Sequence, residues 1–305
     1  MVAAPRDYKH SLLRRHLVVL RAALAARGPF DGVEGHVLYP AGLIAWLVAR
    51  LRRAPVLLYA HGADVLEAAR RNRIHAALAR FVARHADAVV ANSRSIAEAV
   101  AMLGAKAEVV PPGVDLEVFA PGDRGAARAS LGLDRDALLA LYVGGLIERK
   151  GPDVFADAMA QVDGWIGLVV GGGPLAARVT AAGTVRVHAA VPPSEVATWM
   201  TAADVVVVPS RSEPLGLAAV EALACGRPVV ASAVGGLQDV VRDGETGILV
   251  PPGDPSALAA AIKRLSDEKL RIRFGDAAPD SVAAHGMESV TDAMARVWLK
   301  LGVEL

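Results

Sequence analysis

The chain has 305 residues, 53% of them hydrophobic and 21% charged, with a net charge of +1, enough for two domains with cores of their own and typical of a globular protein. A single cysteine, Cys225, excludes an internal disulfide framework and reads as a small buried packing residue, so a reducing, cytoplasmic setting is expected. No run approaches the roughly 18 uninterrupted apolar residues of a membrane span, and residues 1–27 are cut too often by Arg and Lys for a secretory signal.

The charge is uneven along the chain. Residues 1–118 hold 16 Lys/Arg against 10 Asp/Glu and the remainder 17 against 22, so the halves carry +6 and −5. A basic first half could meet anionic lipid or a phosphorylated acceptor. Low aromatic and high alanine content favour helices packed on sheets over a lectin-like sandwich, and nothing points to a nucleic-acid partner.

A helix is expected over Asp7 to Arg27, with Leu12, Leu13, Leu17, Leu20 and Leu24 on one face. Four strand-like runs follow, near Gly35–Tyr39, Val56–Ala60, Ala88–Ala91 and Glu108–Val110. Helical patterns lie between them at Ala41–Arg53, Val65–His85 and Ser93–Leu103. Such alternation predicts a parallel sheet of about four strands with right-handed crossovers. His61-Gly62-Ala63-Asp64 closes the second run, placing His61 at the carboxyl end of a buried strand, where ligand-binding residues collect. His36, His75 and His85 lack that context and read as structural. Arg70, Arg71, Arg73, Arg80 and Arg84 share a helical stretch with Leu66, Ile74, Leu78 and Phe81, a composition suited to peripheral contact with an anionic membrane.

Pro111 to Gly122 joins turn formers to a few apolar anchors and reads as a linker, with the boundary drawn near residue 119. The first domain is then 1–118 and the second 119–287. Six further strands are expected at Leu139–Val143, Ile166–Val170, Val185–Val187, Asp204–Val208, Val229–Ala231 and Ile248–Val250, a Rossmann-like parallel sheet with ligands at its carboxyl ends. Helices near Ser256–Arg264 and Glu288–Leu301 finish the chain.

Three loops of this second half carry chemistry. Gly144-Gly145-Leu-Ile-Glu-Arg149-Lys150-Gly151 offers flexible backbone and two cations to a phosphate. Gly171-Gly172-Gly173-Pro174 nominally fits a dinucleotide fingerprint through Ala176, but the loop follows the second strand rather than the first, and position 193 is a proline instead of an acid. The third runs from Pro209 to Pro228. A continuously apolar strand, Asp204 to Val208, leads through Glu213, Pro214 and Gly216 into a helix expected from about Leu215 to Ala224. The N–H groups of Gly216 and Leu217 and the helix dipole form an anion site, and Glu221 lies eight residues beyond Glu213, roughly 12 Å along the axis. A ligand with a central anion and hydroxyl-rich ends, such as a nucleotide-sugar, suits the two carboxylates and the site between them. No metal-ligand spacing, Asp-x-Asp, Gly-x-Ser-x-Gly or P-loop occurs, so no essential metal is expected and a hydrolase or P-loop NTPase is disfavoured.

The corner resembles the E-x7-E motif of retaining glycosyltransferases of family 4, which have the GT-B fold: two Rossmann-like α/β domains with parallel sheets facing a cleft. The likeness spans roughly residues 31–301. It implies transfer of a sugar from a UDP-, GDP- or ADP-sugar to a sugar, lipid-linked or small-molecule acceptor. Glu213 would then meet sugar hydroxyls, Glu221 the ribose, and Lys150 with the helix start at Gly216 and Leu217 the diphosphate. Gly144, Gly171 and Gly173 would line the donor loops, His188 and Ala189 the base site, and His61 would bond the transferred sugar. Catalysis is thus expected from Glu213, His61 and Lys150, with no cofactor. The family's phosphate-binding arginine is replaced by Gly145, leaving Arg149 as its substitute. Members also open with further β-α units, so the first domain is expected to be truncated, with an uncovered edge at Gly35–Tyr39 that invites self-association. The last helix should cross back onto the first domain. The rival reading is a weak or inactive nucleotide-sugar-binding subunit; a dehydrogenase is more distant.

Overall fold

The computed structural model describes residues 12–26, 29–66 and 73–304. It divides into two compact units, residues 1–111 with 291–305, and residues 112–290. Val114 and Phe119, both in the linker stretch, are buried in the core of the second unit, so the division falls before them.

The first unit is a parallel sheet of β1 (Val33–His36), β2 (Val56–Ala60), β3 (Ala88–Ala91) and β4 (Glu108–Val109), in that spatial order. Every residue of β2 is buried, as its unbroken apolar sequence requires of an inner strand covered on both faces. Its helices are α1 (Leu12–Ala25), α2 (Ala41–Arg52), α3 (Ala63–Leu66), α4 (Arg73–His85) and α5 (Arg94–Met102). Ser93 caps α5 by accepting from the Ile96 amide. The helix expected over Val65–His85 is thus present at its two ends, and 67–72 lie outside the described residues. β1 begins two residues earlier than expected and ends at His36, because Val37 takes φ +81° and leaves the extended region. It lies at an edge of the sheet among the described residues.

The second unit holds six parallel strands, β5 (Leu138–Val143), β6 (Trp165–Val170), β7 (Val185–His188), β8 (Val205–Val208), β9 (Val229–Ser232) and β10 (Gly247–Val250), ordered β10-β9-β8-β5-β6-β7. The reversal between β8 and β5 is a topological switch point, where ligands of such sheets bind. Helices α6 (Arg124–Ser130), α7 (Pro152–Met159), α8 (Ala176–Ala181), α9 (Pro193–Ala202), α10 (Leu217–Ala224), α11 (Leu237–Val240), α12 (Pro255–Arg264) and α13 (Glu268–Ser281) complete it. α13 is absent from the sequence reading. Its charged composition and internal Pro279 hide a helix held by the fully buried Phe274 and Ala278. The last helix, α14 (Met287–Lys300), leaves the second unit, and residues 291–305 belong to the first, where Trp298 packs over Gly32 and Lys300 pairs with Glu108 at 2.8 Å.

Asp204 ties the amino end of β8 to its surroundings. Its carboxylate accepts from Arg128 and from the Leu139 amide, each at 2.7 Å, and from Arg124. Arg128 is 1% exposed and donates also to the carbonyls of Ala202, Asp134, Arg135 and Ala137, so a fully buried cation is both paired and saturated. A cavity of about 490 Å³ beside it is lined by Arg124, Arg227 and Arg271 against Asp204, Glu268 and Asp276. Its charges balance, and it sits at the opposite end of the strands from the loops described next.

Candidate functional site

The loops after β5, β6 and β8 meet because their strands are neighbours. Glycine makes the meeting possible. A Cβ at Gly171 would collide with the Gly144 carbonyl oxygen, and one at Gly173 would lie 2.6 Å from the Leu146 carbonyl oxygen. Gly151, at φ +68°, similarly abuts the Pro209 carbonyl, which locks the Lys150 loop against the start of the Glu213 loop. Backbone bonds fix the same approach: Leu146 N to Gly172 O at 2.9 Å, and Leu175 N to Leu146 O at 2.9 Å.

Lys150 Nζ donates to Glu213 Oε2 at 2.5 Å, and Ser210 Oγ donates to the same oxygen at 3.1 Å. Glu213 is 6% exposed, so its carboxylate is buried but paired, while Lys150 keeps partial contact with solvent. Each residue singled out in the sequence therefore holds the other in place. Glu213 also anchors its neighbour loop, its carbonyl accepting from the Gly236 amide at 3.0 Å.

The helix after Glu213 begins later than expected. Pro214 and Leu215 remain in the loop, and α10 starts at Leu217 with Gly216 as its cap at φ +89°. A side chain at Gly216 would strike Leu237. The first N–H groups of α10 lack partners within the helix and keep the anion-binding character read from the sequence. One turn and more along α10, Glu221 is half-buried, and burial pushes its carboxyl up to about 7, with Lys150 opposing.

Arg149 is exposed. Its guanidinium donates to the Ser212 carbonyl at 3.0 Å and its own carbonyl accepts from Arg211 N at 2.8 Å. It thus pins the Glu213 loop. Gly145 is exposed too, with no atom within 4 Å of an added Cβ; beside it Tyr142 Oη donates to the Gly145 carbonyl at 2.8 Å. Burial first, then Glu213 and Asp153, holds the Tyr142 phenol protonated well above the usual range. At the end of β7 the His188 carbonyl is taken by Gly171 N at 3.1 Å. The His188 ring packs 4.5 Å from Trp199, its Nε2 is buried without a partner, and burial lowers its basicity. Ala189 and Leu217 are exposed.

A bidentate pair that the sequence reading lacked completes this corner. Arg211 grips Asp153 with bonds of 2.9 and 2.8 Å and reaches the Glu148 carbonyl at 2.8 Å. Asp153 is 5% exposed, and the Arg211 guanidinium holds its carboxyl below the usual carboxylate range. The two residues are 58 positions apart, and an Arg between two serines gives no local signal.

In the first unit, His61 leaves the carboxyl end of β2 as expected. Asp64 folds the loop beneath it, Oδ1 accepting from the His61 and Gly62 amides at 3.1 and 2.9 Å, and Oδ2 from Leu38 N at 2.8 Å. Asn92, at the end of β3, donates to the His61 carbonyl at 3.3 Å. His36, which reads as structural in the sequence, meets His61 in space: its Nδ1 lies 2.9 Å from His61 Nε2, and the two rings stack. Burial and then His36 lower the basicity of His61.

Among the described residues no group of three His, Cys, Asp or Glu could hold a metal ion, and no helix is long and apolar enough to cross a membrane. The pattern of the family described as glycosyl transferases group 1 matches residues 137–268, and that of glycosyltransferase family 4 matches residues 2–118. D-inositol 3-phosphate glycosyltransferase 1 of Catenulispora acidiphila is 40% identical over 300 residues, covering 88% of this chain and 72% of that protein. The chain belongs to glycosyltransferase family 4.

The namesake enzyme of Streptomyces bingchenggensis is 37% identical over 304 residues, 89% of this chain and 67% of its own. That of Mycobacterium tuberculosis F11 is 39% identical over 315 residues; the transferase described here spans 63% of its length. Among solved structures, sucrose-phosphate synthase of Thermosynechococcus elongatus superposes with TM-score 0.86 at 29% identity, over 99% of this chain and 81% of that one. Anabaena HepE gives 0.83 at 22%, over 94% and 82%. The transferase is therefore an α/β protein of the GT-B class, with parallel sheets of four and six strands among the described residues.

Proposed function

We propose that this glycosyltransferase retains configuration as it moves a sugar from a nucleoside diphosphate sugar to an acceptor hydroxyl. The observation that carries the reading is the Lys150–Glu213 pair in the loops that precede α10, with Glu221 on that helix. In it, the donor diphosphate lies at the first amides of α10, drawn by the helix dipole and by Lys150. Lys150 then serves two anions, while Ser210 keeps Glu213 oriented. Glu213 accepts from sugar hydroxyls, bonds that strengthen as positive charge develops on the ring. Glu221 takes the ribose diol as a carboxylate. No carboxylate beyond these is assigned as nucleophile, so the acceptor attacks on the face the phosphate leaves, and the departing phosphate takes its proton. His61 bonds the transferred sugar.

The donor class is a UDP-, GDP- or ADP-sugar, with no essential metal or cofactor in the reading. The names of relatives 37–40% identical support D-inositol 3-phosphate as the first acceptor to try, and they favour a transferase over a non-catalytic binding subunit. The test is a thermal-shift panel of nucleoside diphosphates with EDTA present, followed by mass spectrometry of products from the preferred donor. The expected result is one stabilising nucleotide and acceptor-dependent product. No shift and no product from any donor would overturn the reading.

Two interactions belong to the same proposal. Arg73, Arg80 and Arg84 are exposed on α4 beside Ile74 (73% exposed) and Phe81 (38%), a surface suited to anionic lipid at about 1 kcal/mol per basic residue; Arg70 and Arg71 lie outside the described residues. Flotation that does not depend on acidic phospholipid would reject it. Among the described residues no strand pairs with the outer side of β1, an edge suited to self-association, and a monomer at all concentrations in sedimentation would reject that.

A further inference from the structure

We propose that Glu34 and His36 are positioning residues that fix which nitrogen of His61 carries its proton, so that His61 presents Nδ1 as a hydrogen-bond acceptor to a substrate hydroxyl. The inference rests on the reading above that His61 meets a sugar.

His36 is the last residue of β1 and His61 the first after β2, and parallel register brings the strand ends side by side. Tyr59 gives the two rings a floor: it is 8% exposed, its hydroxyl donates to the Val110 carbonyl at 2.8 Å, and both imidazoles stack on it with centroids at 5.5 and 4.9 Å. Val37 then takes φ +81°, a strained conformation for a β-branched residue, held by bonds from Val37 N to Tyr59 O and from Gly42 N to Val37 O. Strain of this kind persists only where surroundings over-determine it, and here it directly follows His36.

The proton assignment follows from valence. Glu34 Oε1 lies 3.2 Å from His36 Nε2, and a carboxylate, which has no hydrogen to give, favours the His36 tautomer with its proton on that nitrogen. The Nδ1 of a neutral His36 then bears a lone pair. At 2.9 Å from it, His61 Nε2 must be the donor. A neutral His61 with its proton on Nε2 leaves Nδ1 bare. This acceptor can take a hydrogen bond from a sugar hydroxyl, the proton staying on the sugar oxygen, and so raise electron density on the ring as the glycosidic bond opens. The charged and titratable groups that face the pair are Glu34 from β1, Tyr59 from β2 and Asp64 from α3. Asp64 is already engaged by three backbone amides.

The test uses the full chain with ¹⁵N-labelled histidine. At neutral pH the His61 ring should be the Nε2–H tautomer, and His36→Phe, which keeps a stacked ring and removes both nitrogens, should give a mixture. The same variant should lower kcat about tenfold, the loss of one hydrogen bond, with donor KM little changed and the acid limb of the pH profile displaced. His36→Gln can donate to Glu34 and accept from His61, and should recover most of the rate; Glu34→Leu should fall between. Because the side chains of His36 and Glu34 are 61% and 37% exposed and neither belongs to the core, these variants should keep a melting temperature close to that of the wild type. A wild-type tautomer and pH profile in both His36→Phe and Glu34→Leu would overturn the proposal. Full activity in His61→Ala would instead overturn the role of His61 in transfer, whatever its tautomer.

Discussion

The two candidate regions are built on opposite principles. In the second unit, backbone carbonyls and amides press three loops together until no side chain fits at Gly151, Gly171 or Gly173, and the buried carboxylates Glu213 and Asp153 are each paired with a cation that reaches solvent. In the first unit, the functional side chains stand exposed at strand ends and are ordered by ring stacking and two carboxylates, Glu34 and Asp64. A diphosphate is the same anion in every donor, so its site can be rigid backbone; sugars and acceptors differ, and side chains read them. If that contrast is right, substitutions in the second unit should cost folding or nucleotide affinity, and those in the first should cost rate.

The sharpest break comes from Gly171→Ala. The new Cβ meets the Gly144 carbonyl oxygen, backbone against backbone, and neither strand end can withdraw without breaking the β5–β6 register. The expected loss is more than about 3 kcal/mol, in the range of severe overpacking, read as a fall in denaturation midpoint together with lost nucleotide binding. A midpoint unchanged from wild type would mean the loops are looser than described.

Next is Glu213→Gln, which keeps shape and removes charge. Turnover should fall on the order of 100-fold, as for one preorganised electrostatic contact, while calorimetric donor affinity stays within a few fold. Equal losses in kcat and affinity would place Glu213 in ground-state binding instead.

The ease of reading the sequence follows the same contrast. β8, the Glu213–Glu221 spacing and the Lys150-Gly151 loop were legible because backbone-built sites write themselves locally, as apolar runs, glycines and fixed spacings. The ten strands of the described residues lie within a few positions of the apolar runs that predict them. Side-chain clusters are not local. His36 meets His61 across 25 positions and Arg211 meets Asp153 across 58, and no window contains either pair. α13 failed differently: its helix is held by two buried contacts that a charged composition conceals.

Glu221 gives a test with two opposing signs. Its carboxyl is raised from an ordinary 4.5 to about 7 by burial. The folded chain therefore holds this proton more tightly than the unfolded one, and its contribution is full below pH 4.5 and lost as pH rises through 7. Glu221→Gln should remove that loss and stabilise the ligand-free protein at pH 8 by on the order of 2 kcal/mol. Donor binding, which needs the carboxylate, should tighten about tenfold from pH 6 to pH 8 in wild type, following the ionised fraction of a group near 7. It should be weak and flat with pH in the variant. A flat wild-type curve would detach Glu221 from the ribose.

The smallest expected effect tests whether the donor site is complete. Gly145 stands where similar transferases carry an arginine, and nothing in the structure fills the space: an added Cβ meets no atom within 4 Å, and the backbone there is not left-handed. Arg149 is the other cation beside this loop, its guanidinium donating once to the Ser212 carbonyl and carrying further N–H groups that a phosphate could use. Gly145→Arg should therefore fold normally and add one charge-assisted bond to the diphosphate, worth about 1.5 kcal/mol or roughly tenfold in affinity. Isothermal titration with the preferred nucleoside diphosphate at low and high salt reads it. Affinity that rises at low salt and loses part of its gain at high salt would identify an empty cation position. An affinity equal to wild type at both would mean that Lys150 and the amides of α10 already neutralise the diphosphate, and that this transferase holds its donor with one fixed cation by design of the loop.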